Sequence, residues 1–133
     1  MTFRLEVPAR KCHIAPLQRL VRVGGDRVRT WKQPENPGHE ISIVWIQGDV
    51  LQVNSSNFVL TDETGSATVV TQDLLPNCPV PVAGQYVMVV GEVYESGDNC
   101  VIRAMKTHNL SADTIARKMW NLEIIDLNNE VYR

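Results

Sequence analysis

The sequence predicts an all-β domain with helical additions, in which a five-stranded barrel is followed by a C-terminal amphipathic helix. Three observations support this. Two long strand-like runs, 41–53 and 86–94, each carry a central glycine; a hairpin lies between them; and the apolar pattern changes to helical spacing after Ser111. The 133 residues suffice for one domain with its own core and are too few for two ordinary domains.

The segment FVLTDETGSATVVT (58–71) predicts the hairpin. Phe58 and Leu60 alternate with residues of the opposite face, and the run at 67–71 returns as the second strand. Between them, residues 62–65 supply a turn in which Gly65 is free to adopt a positive φ. We expect Phe58 and Leu60 to face the core.

The two glycine-containing runs predict how the barrel closes. Residues 41–53 are about twice the usual strand length of 5 to 6 residues, with Gly48 near the middle. In a five-stranded oligonucleotide-binding (OB) barrel the first strand pairs with two different neighbours along its length, and glycines permit the required bend. Gly91 has the same expected role in the fourth strand, and residues 100–108 form the fifth. Prolines at 76, 79 and 81 exclude a long helix before the fourth strand.

The chain therefore divides into three expected segments: a basic, partly mobile N-terminal arm at 1–40, the OB-fold barrel at 41–110 and a heterodimerisation helix at 111–133. In the arm, a short helical piece near Ala15 is expected to dock on the barrel, while the stretch around Trp31 is expected to be an exposed loop. Trp31 is either a wedge that anchors this loop or a partner contact.

Charge is distributed unevenly along the chain. Residues 1–32 carry eight Lys or Arg against two acidic residues, a formal +6, and the remainder carries −8. A basic leader on an acidic body indicates a partner contact, a nucleic-acid contact or a solvated leader. Asp49, Glu92 and Glu95 are expected to be solvated charges at the barrel rim.

The C-terminal helix is predicted to have two apolar faces. Ser111 is a suitable N-terminal cap, and residues 112–128 contain no proline or glycine. At 100° per residue the apolar side chains fall into two stripes. The first stripe holds Ile115, Met119 and Leu122, with Ile125 at its margin, and the second holds Ala116, Trp120, Ile124 and Leu127. One barrel wall covers one stripe, so the other requires a partner chain or cover by the N-terminal arm.

Four segments resemble the RecQ-mediated genome instability protein 2 family: VWIQGDV (44–50), GQYVMVVGEV (84–93), AMKTHNLS (104–111) and MWNLEIIDL (119–127). The resemblance covers most of residues 41–128. It implies a non-catalytic nuclear subunit, without cofactors, that heterodimerises with a larger OB-fold sister subunit. Such a subunit supports a Bloom-type RecQ helicase and topoisomerase III in DNA repair, recombination and replication, through dissolution of recombination intermediates.

Site residues follow from the stripes and from this resemblance. The partner-binding residues are expected to be Ile115, Met119, Trp120, Leu122, Ile124 and Leu127. The resemblance also implies a docking site for a peptide from a repair translocase, to which Lys106 and Trp120 contribute. For Trp120, a role within the heterodimer and a role in this external pocket remain open alternatives.

Two other function classes are weighed against this adaptor. Single-stranded DNA binding needs exposed aromatics in a basic groove, whereas the hairpin turn here is acidic and Phe58 is expected in the core. An enzyme is not indicated, because His13, His39 and His108 are scattered and no catalytic or metal-ligand spacing is present.

The three cysteines, without paired spacing, indicate a reducing compartment, with Cys78 and Cys100 as small buried hydrophobes. Neither a membrane span nor a secretory signal is expected, so we expect a soluble, intracellular protein.

Overall fold

A computed structural model describes residues 9–25 and 28–130. Within this part of the chain, nine strands, one 3₁₀ helix and one α-helix follow in the order β1 (Arg10–Lys11), 3₁₀ helix (Ala15–Arg19), β2 (Val21–Gly24), β3 (Thr30–Gln33), β4 (Asn36–Ile41), β5 (Ile43–Val53), β6 (Asn57–Thr61), β7 (Ser66–Val70), β8 (Tyr86–Glu95), β9 (Val101–Asn109) and α1 (Thr114–Glu130). The predicted strands and the predicted helix are thus present, with shifts of one to two residues at most of their ends.

Five of the strands pair in a ring. β5 pairs antiparallel with β6 through Asp49–Val53 and with β8 through Ile43–Asp49, so its two halves serve different neighbours. β6 pairs with β7, β7 runs parallel to β9, and β9 returns antiparallel to β8. This is the predicted five-stranded OB barrel. Its interior is filled by apolar side chains, among them Phe58 and Leu60, both fully buried.

The predicted role of the two central glycines is confirmed by close backbone approaches. A Cβ placed on Gly48 would lie 2.3 Å from the carbonyl oxygen of Thr61, and one on Gly91 would lie 2.4 Å from that of Arg103. Both distances are far below van der Waals contact, so any side chain here would force the paired strands apart. Glycine is required at the points where β5 and β8 cross closely over their neighbours.

The β6–β7 turn forms by side-chain bonding instead of by a positive φ at Gly65. Asp62 Oδ1 accepts hydrogen bonds from the backbone N–H groups of Thr64 (2.7 Å) and Gly65 (3.0 Å). Positive φ values in the described residues occur at Gly25, Asn77, Gly84 and Gly97. The predicted hairpin is confirmed, and its turn is an Asx type, which mimics a backbone turn.

The expectation of a separate N-terminal arm is wrong for the residues that the structure describes. The 3₁₀ helix docks as predicted, with Leu17 fully buried and its carbonyl accepting a hydrogen bond from Ser96 Oγ at 2.8 Å. Cys12, Ile14 and Leu20 are also buried in the barrel's core cluster. Residues 1–8, which the mobile arm was expected to include, lie outside the described part. The high proline and glycine content of the N-terminal segment predicts a loop, whereas its side chains complete the core.

The stretch around Trp31 is a small sheet instead of an exposed loop. β2, β3 and β4 form a three-stranded antiparallel sheet, in which β3 is the central strand. The Trp31 side chain is buried, and its indole N–H donates to the carbonyl of Val93 at 2.8 Å. Of the two alternatives, Trp31 anchors the segment to the barrel.

The expected solvated rim charge at 92 is also wrong. Glu92 is almost fully buried on β8, where it accepts hydrogen bonds from the backbone N–H of Arg29 (2.7 Å) and from the guanidinium of Arg103 (3.3 Å). Glu95 is exposed and pairs with the Arg29 side chain. A buried carboxylate requires such partners, and here they join the β2–β4 sheet to the barrel.

Candidate functional site on the exposed face of the C-terminal helix

One side of α1 is fastened to the barrel and to the N-terminal segment by polar contacts. Lys11 forms an ion pair with Glu123, and His13 Nε2 lies 2.9 Å from Asn121 Oδ1. Asn121 also donates to Glu63 in the β6–β7 turn at 3.0 Å. These contacts join residues more than fifty positions apart in the chain, so they fix the helix against one face of the fold.

At the N-terminal end of the helix, Arg117 provides a further fastening. Its guanidinium binds Asp49 of β5, with one N–O distance of 3.2 Å, and lies 4.2 Å from the centre of the Tyr86 ring. The hydrogen bond to Asp49 raises the pKa of Arg117 above its ordinary value. The side chain therefore remains a cation against an aromatic face, which is a favourable arrangement.

The apolar side chains of this inner side form the buried stripe (Ala116, Trp120, Ile124 and Leu127). Trp120 is 3% exposed and Ile124 is 1% exposed, while Ala116 and Leu127 are half-buried. The two-stripe prediction is confirmed. The chain itself covers this stripe.

The other apolar side chains of α1 form the exposed stripe (Ile115, Met119, Leu122 and Ile125). Their exposed fractions are 69%, 49%, 54% and 52%, respectively. On an ideal helix Leu122 points about 160° away from both Trp120 and Ile124. The exposed stripe therefore faces away from the barrel, toward open solvent.

The expected set of partner-binding residues needs correction on this basis. Trp120 and Ile124 are packed inside the chain, so a partner could reach them only if α1 left the barrel. Leu127 lies at the edge of the covered side. Ile115, Met119 and Leu122 are accessible as predicted, and Ile125, placed only at the margin by helical spacing, belongs with them because the barrel does not reach it.

The expected pairing of Lys106 with Trp120 in one pocket does not occur in this arrangement. Trp120 lines a narrow cleft of about 50 Å³ together with Gln47, Gly48, Asp49, Asp62, Glu63, Tyr86, Arg117 and Asn121. Lys106, exposed on β9, is not part of its lining. Cavities that admit a benzene ring measure about 150 Å³. A phenylalanine anchor would therefore not fit beside Trp120 with the helix in this position.

The aromatic side chains of the described residues offer no free platform for stacking nucleic-acid bases. Trp31, Phe58, Tyr86 and Trp120 are buried. The two half-buried rings are covered by cations of this chain: Lys11 lies 4.5 Å from the centre of a Trp45 ring, and Arg29 lies 3.9 Å from that of Tyr94. Lys11 and Arg29, two of the basic residues near the N-terminus, are thus engaged within the fold.

The three cysteines, all in the described part of the chain, differ in their burial. Cys12 and Cys100 are buried, which raises the pKa of the Cys12 thiol to about 12 and that of Cys100 to about 11. Cys78, expected to be buried, is partly exposed. No group of three or more His, Cys, Asp or Glu side chains is arranged to hold a metal ion among the residues described.

A bilayer crossing requires a longer and more apolar helix than any found in residues 9–25 and 28–130.

Solved structures with the same architecture confirm the fold. A chain of a replication protein A heterotrimer bound to single-stranded DNA superposes with a TM-score of 0.71 at 17% identity, covering 96% of this chain and all of that one. The telomere capping protein Ten1 from Saccharomyces pombe superposes with a TM-score of 0.56 at 13% identity, covering 87% and 97%. A chain of the S. pombe Stn1–Ten1 complex gives 0.57 at 12% identity, covering 89% and 93%. At these identities the likeness establishes the OB fold alone.

Sequence comparison is more specific. Curated proteins named RecQ-mediated genome instability protein 2 match this chain at 32% identity over 94 residues in Bos taurus and at 37% over 92 residues in Gallus gallus. These alignments cover 70% and 66% of this chain and 60% and 67% of the two relatives, so the chain spans about two thirds or less of the relatives' length. A family profile with that same description matches residues 16–128, which include the barrel, most of α1 and the N-terminal segment from residue 16 onward. The chain therefore belongs to the RecQ-mediated genome instability protein 2 family.

Proposed function

We propose that this chain is a non-catalytic OB-fold subunit that binds a larger OB-fold partner through the exposed stripe of α1. One observation carries the proposal: four large apolar side chains, about half to two thirds exposed, form a continuous face on a helix that is already fixed to its own barrel. Contiguous exposed apolar surface of this kind typically marks a protein interface.

The apolar area of the exposed stripe sets how much free energy it could contribute to binding a partner. Fully burying a large apolar side chain is worth about 1.5 to 3 kcal/mol, so covering four that are roughly half exposed adds on the order of 1 kcal/mol each. About 4 kcal/mol corresponds to millimolar affinity by itself. A stable heterodimer would therefore also use neighbouring barrel surface, and the stripe would act as its central apolar cluster.

Assembly with other OB-fold chains is consistent with the structural neighbours. The two named complexes with the same fold are a replication protein A heterotrimer and the Stn1–Ten1 complex. By family membership, the larger assembly proposed for this chain contains a Bloom-type RecQ helicase and topoisomerase III and acts on recombination intermediates in the nucleus. Catalysis in that assembly is assigned to the partners, and this chain acts as the adaptor.

Peptide docking is the second part of the proposed role. Lys106 is exposed on β9, outside the cleft that Trp120 lines, and remains available to an acidic or carbonyl group of a repair-protein peptide. Because Trp120 is buried, the aromatic anchor of such a peptide would need a surface supplied jointly with the partner. Lys106→Glu is expected to reduce peptide capture and leave the heterodimer intact.

The heterodimer is tested by a matched pair of leucine substitutions. Leu122 and Leu51 are 54% and 58% exposed, but Leu122 lies in the exposed stripe and Leu51 lies on β5. Each is changed to Asp, and the tagged chain is co-expressed with the larger OB-fold subunit. Leu122→Asp is expected to lose the partner, whereas Leu51→Asp is expected to retain it.

The outcomes separate the competing functions. Unchanged co-purification with Leu122→Asp would overturn the assignment of the stripe, and equal loss with both variants would show that the effect is not specific to it. Nanomolar single-stranded DNA affinity of the isolated chain at physiological salt would favour the nucleic-acid-binding alternative. Weak binding that disappears with salt would not, because it needs only scattered basic residues.

A further inference from the structure

Two opposite charges lie within the exposed stripe. Lys118 and Asp126 are both exposed on α1, and neither makes a hydrogen bond or ion pair with any residue in the described part of the chain. The other charged side chains toward the barrel side of the helix are engaged: Arg117 with Asp49 and Glu123 with Lys11. A partner that covers the stripe must therefore accommodate both of these charges.

These two charges are placed symmetrically about Leu122. Each is four residues from it, so at 100° per residue they lie about 40° to either side of Leu122 and about 6 Å above and below it along the helix axis. Met119 and Ile125 are likewise three residues from Leu122, about 60° to either side. Read in either direction from Leu122, the face therefore has an apolar residue three positions away and a charge, of opposite sign on the two sides, four positions away; Ile115 lies beyond this symmetric part.

This pattern is complementary to itself when one copy is reversed. In an antiparallel pair of helices related by a two-fold axis at Leu122, the residue k positions before the centre lies level with the residue k positions after it in the second copy. Lys118 of each copy then lies level with Asp126 of the other, and Met119 with Ile125. In a parallel pair, Lys118 would instead meet Lys118, and the like charges would repel.

The second copy can also approach without obstruction from the barrel. The stripe points away from Trp120 and Ile124, the residues that fasten α1 to its own fold. Two chains facing each other across their helices therefore keep their barrels on the outer sides. Covering the charges by a purely apolar partner would leave them desolvated and unpaired, which is costly.

We propose that this chain, in the absence of another partner, forms an antiparallel homodimer through α1 with two reciprocal Lys118–Asp126 pairs. The contact uses a single helix face, which is smaller than the roughly 800 Å² per partner of a standard interface, so the dimer is weak and reversible. It occupies the stripe assigned above to the larger subunit, so the two assemblies exclude each other. The homodimer is nevertheless inferred from charge placement alone and does not depend on the heterodimer.

The test uses sedimentation velocity of the isolated chain over about 10 to 500 µM, the range in which a weak dimer of this kind is resolved. The wild-type chain is expected to show a concentration-dependent monomer–dimer equilibrium. Lys118→Glu and Asp126→Lys each place like charges opposite one another twice, and each is expected to weaken dimerisation about tenfold or more, equivalent to about 1.4 kcal/mol. Arg19→Glu, a charge reversal at an exposed residue of the 3₁₀ helix, is the control and is expected to leave the equilibrium unchanged.

Mixing the two variants provides the decisive measurement. In an equimolar mixture, Glu at 118 of one chain meets Lys at 126 of the other, and the native Lys118–Asp126 pair forms on the opposite side. Dimerisation of the mixture is therefore expected to recover to within about threefold of wild type, a difference below 1 kcal/mol. A variant that had simply misfolded could not be rescued in this way.

A monomeric wild-type chain throughout the concentration range would overturn the proposal. So would weakening by the single substitutions without recovery in the mixture, because that result excludes reciprocal antiparallel pairing. Neither result would affect co-purification with the larger subunit, which tests the proposed function separately. Conversely, retention of the larger subunit by Leu122→Asp would leave the homodimer prediction standing.

Discussion

Replacing Trp120 with alanine should destabilise the fold, because the structure places this side chain inside the chain. Trp120 is 3% exposed and is the largest member of the buried stripe. Truncating a buried tryptophan to alanine costs about 3 to 5 kcal/mol, through lost apolar burial and the cavity left behind. For a domain of 133 residues, each kcal/mol of lost stability lowers Tm by about 4 °C. The expected fall in Tm is therefore about 12 to 20 °C.

The matched control is the same truncation on the other side of the helix. Leu122→Ala removes a side chain that is 54% exposed, and its expected cost is below about 1 kcal/mol, since little buried surface is lost. Its Tm should fall by less than about 4 °C. The measurement is thermal unfolding followed by far-UV circular dichroism, with the helical signal at the start of each melt as a second readout.

Trp120→Phe completes the series. The indole N–H of Trp120 is buried and donates no hydrogen bond to any described residue. Phenylalanine therefore removes apolar volume without breaking a hydrogen bond and should cost clearly less than alanine. If Trp120→Ala melted within about 4 °C of Leu122→Ala, equivalent to about 1 kcal/mol, the placement of Trp120 on the covered side of α1 would be refuted.

Four further predictions concern the barrel and the thiols. Gly48→Ala should lower Tm by at least about 8 °C, which corresponds to a loss of about 2 kcal/mol of stability, because the new Cβ would lie 2.3 Å from a carbonyl oxygen of the adjacent strand. An unchanged Tm would contradict this close approach. Asp62→Ala should lower the free energy of unfolding, measured with urea, by about 1 to 3 kcal/mol, because the Asp62 carboxylate accepts hydrogen bonds from backbone N–H groups of its own turn and of the N-terminal segment. Asp62→Asn keeps one acceptor oxygen, so it should lower this free energy less. Burial raises the pKa of the Cys12 thiol from 9.0 to about 12. As the pH rises, this thiol therefore ionises in the unfolded chain before it does so in the folded chain, and its contribution to the unfolding free energy should fall between pH 9 and 12. Cys12→Ala should flatten this decline. In native protein, Cys78 should react with a thiol reagent well before Cys12 and Cys100, whereas equal rates for all three would contradict their burial.

The barrel could be predicted from sequence because its signals are local. Strand alternation at Phe58 and Leu60, the DETG turn and the glycines at 48 and 91 each depend on a few neighbouring residues. The N-terminal segment could not be predicted in the same way. Its prolines and glycines suggest a loop, but Leu17 and Trp31 are buried because they meet the barrel, and those contacts join residues about 60 to 80 positions apart.

The candidate site on α1 could also be predicted only in part, because it depends on both local and long-range contacts. Helical spacing separates the two stripes of α1, but it does not say which stripe the barrel covers. That choice depends on long-range contacts such as Lys11 with Glu123 and Arg117 with Asp49. Sequence reasoning therefore assigned Trp120 to a partner and placed Ile125 at the margin, whereas the packing reverses both assignments.

The same contacts bear on the proposal that this chain binds protein in preference to nucleic acid. Lys11 covers the half-buried Trp45 ring and also pairs with Glu123 of α1. A base could stack on Trp45 only after Lys11 had moved, which would also remove one of the polar contacts that hold the helix. The exposed stripe, in contrast, is available without any rearrangement of the chain. Because binding at an already exposed face carries no such cost, this arrangement supports the proposed protein partner over a single strand of nucleic acid.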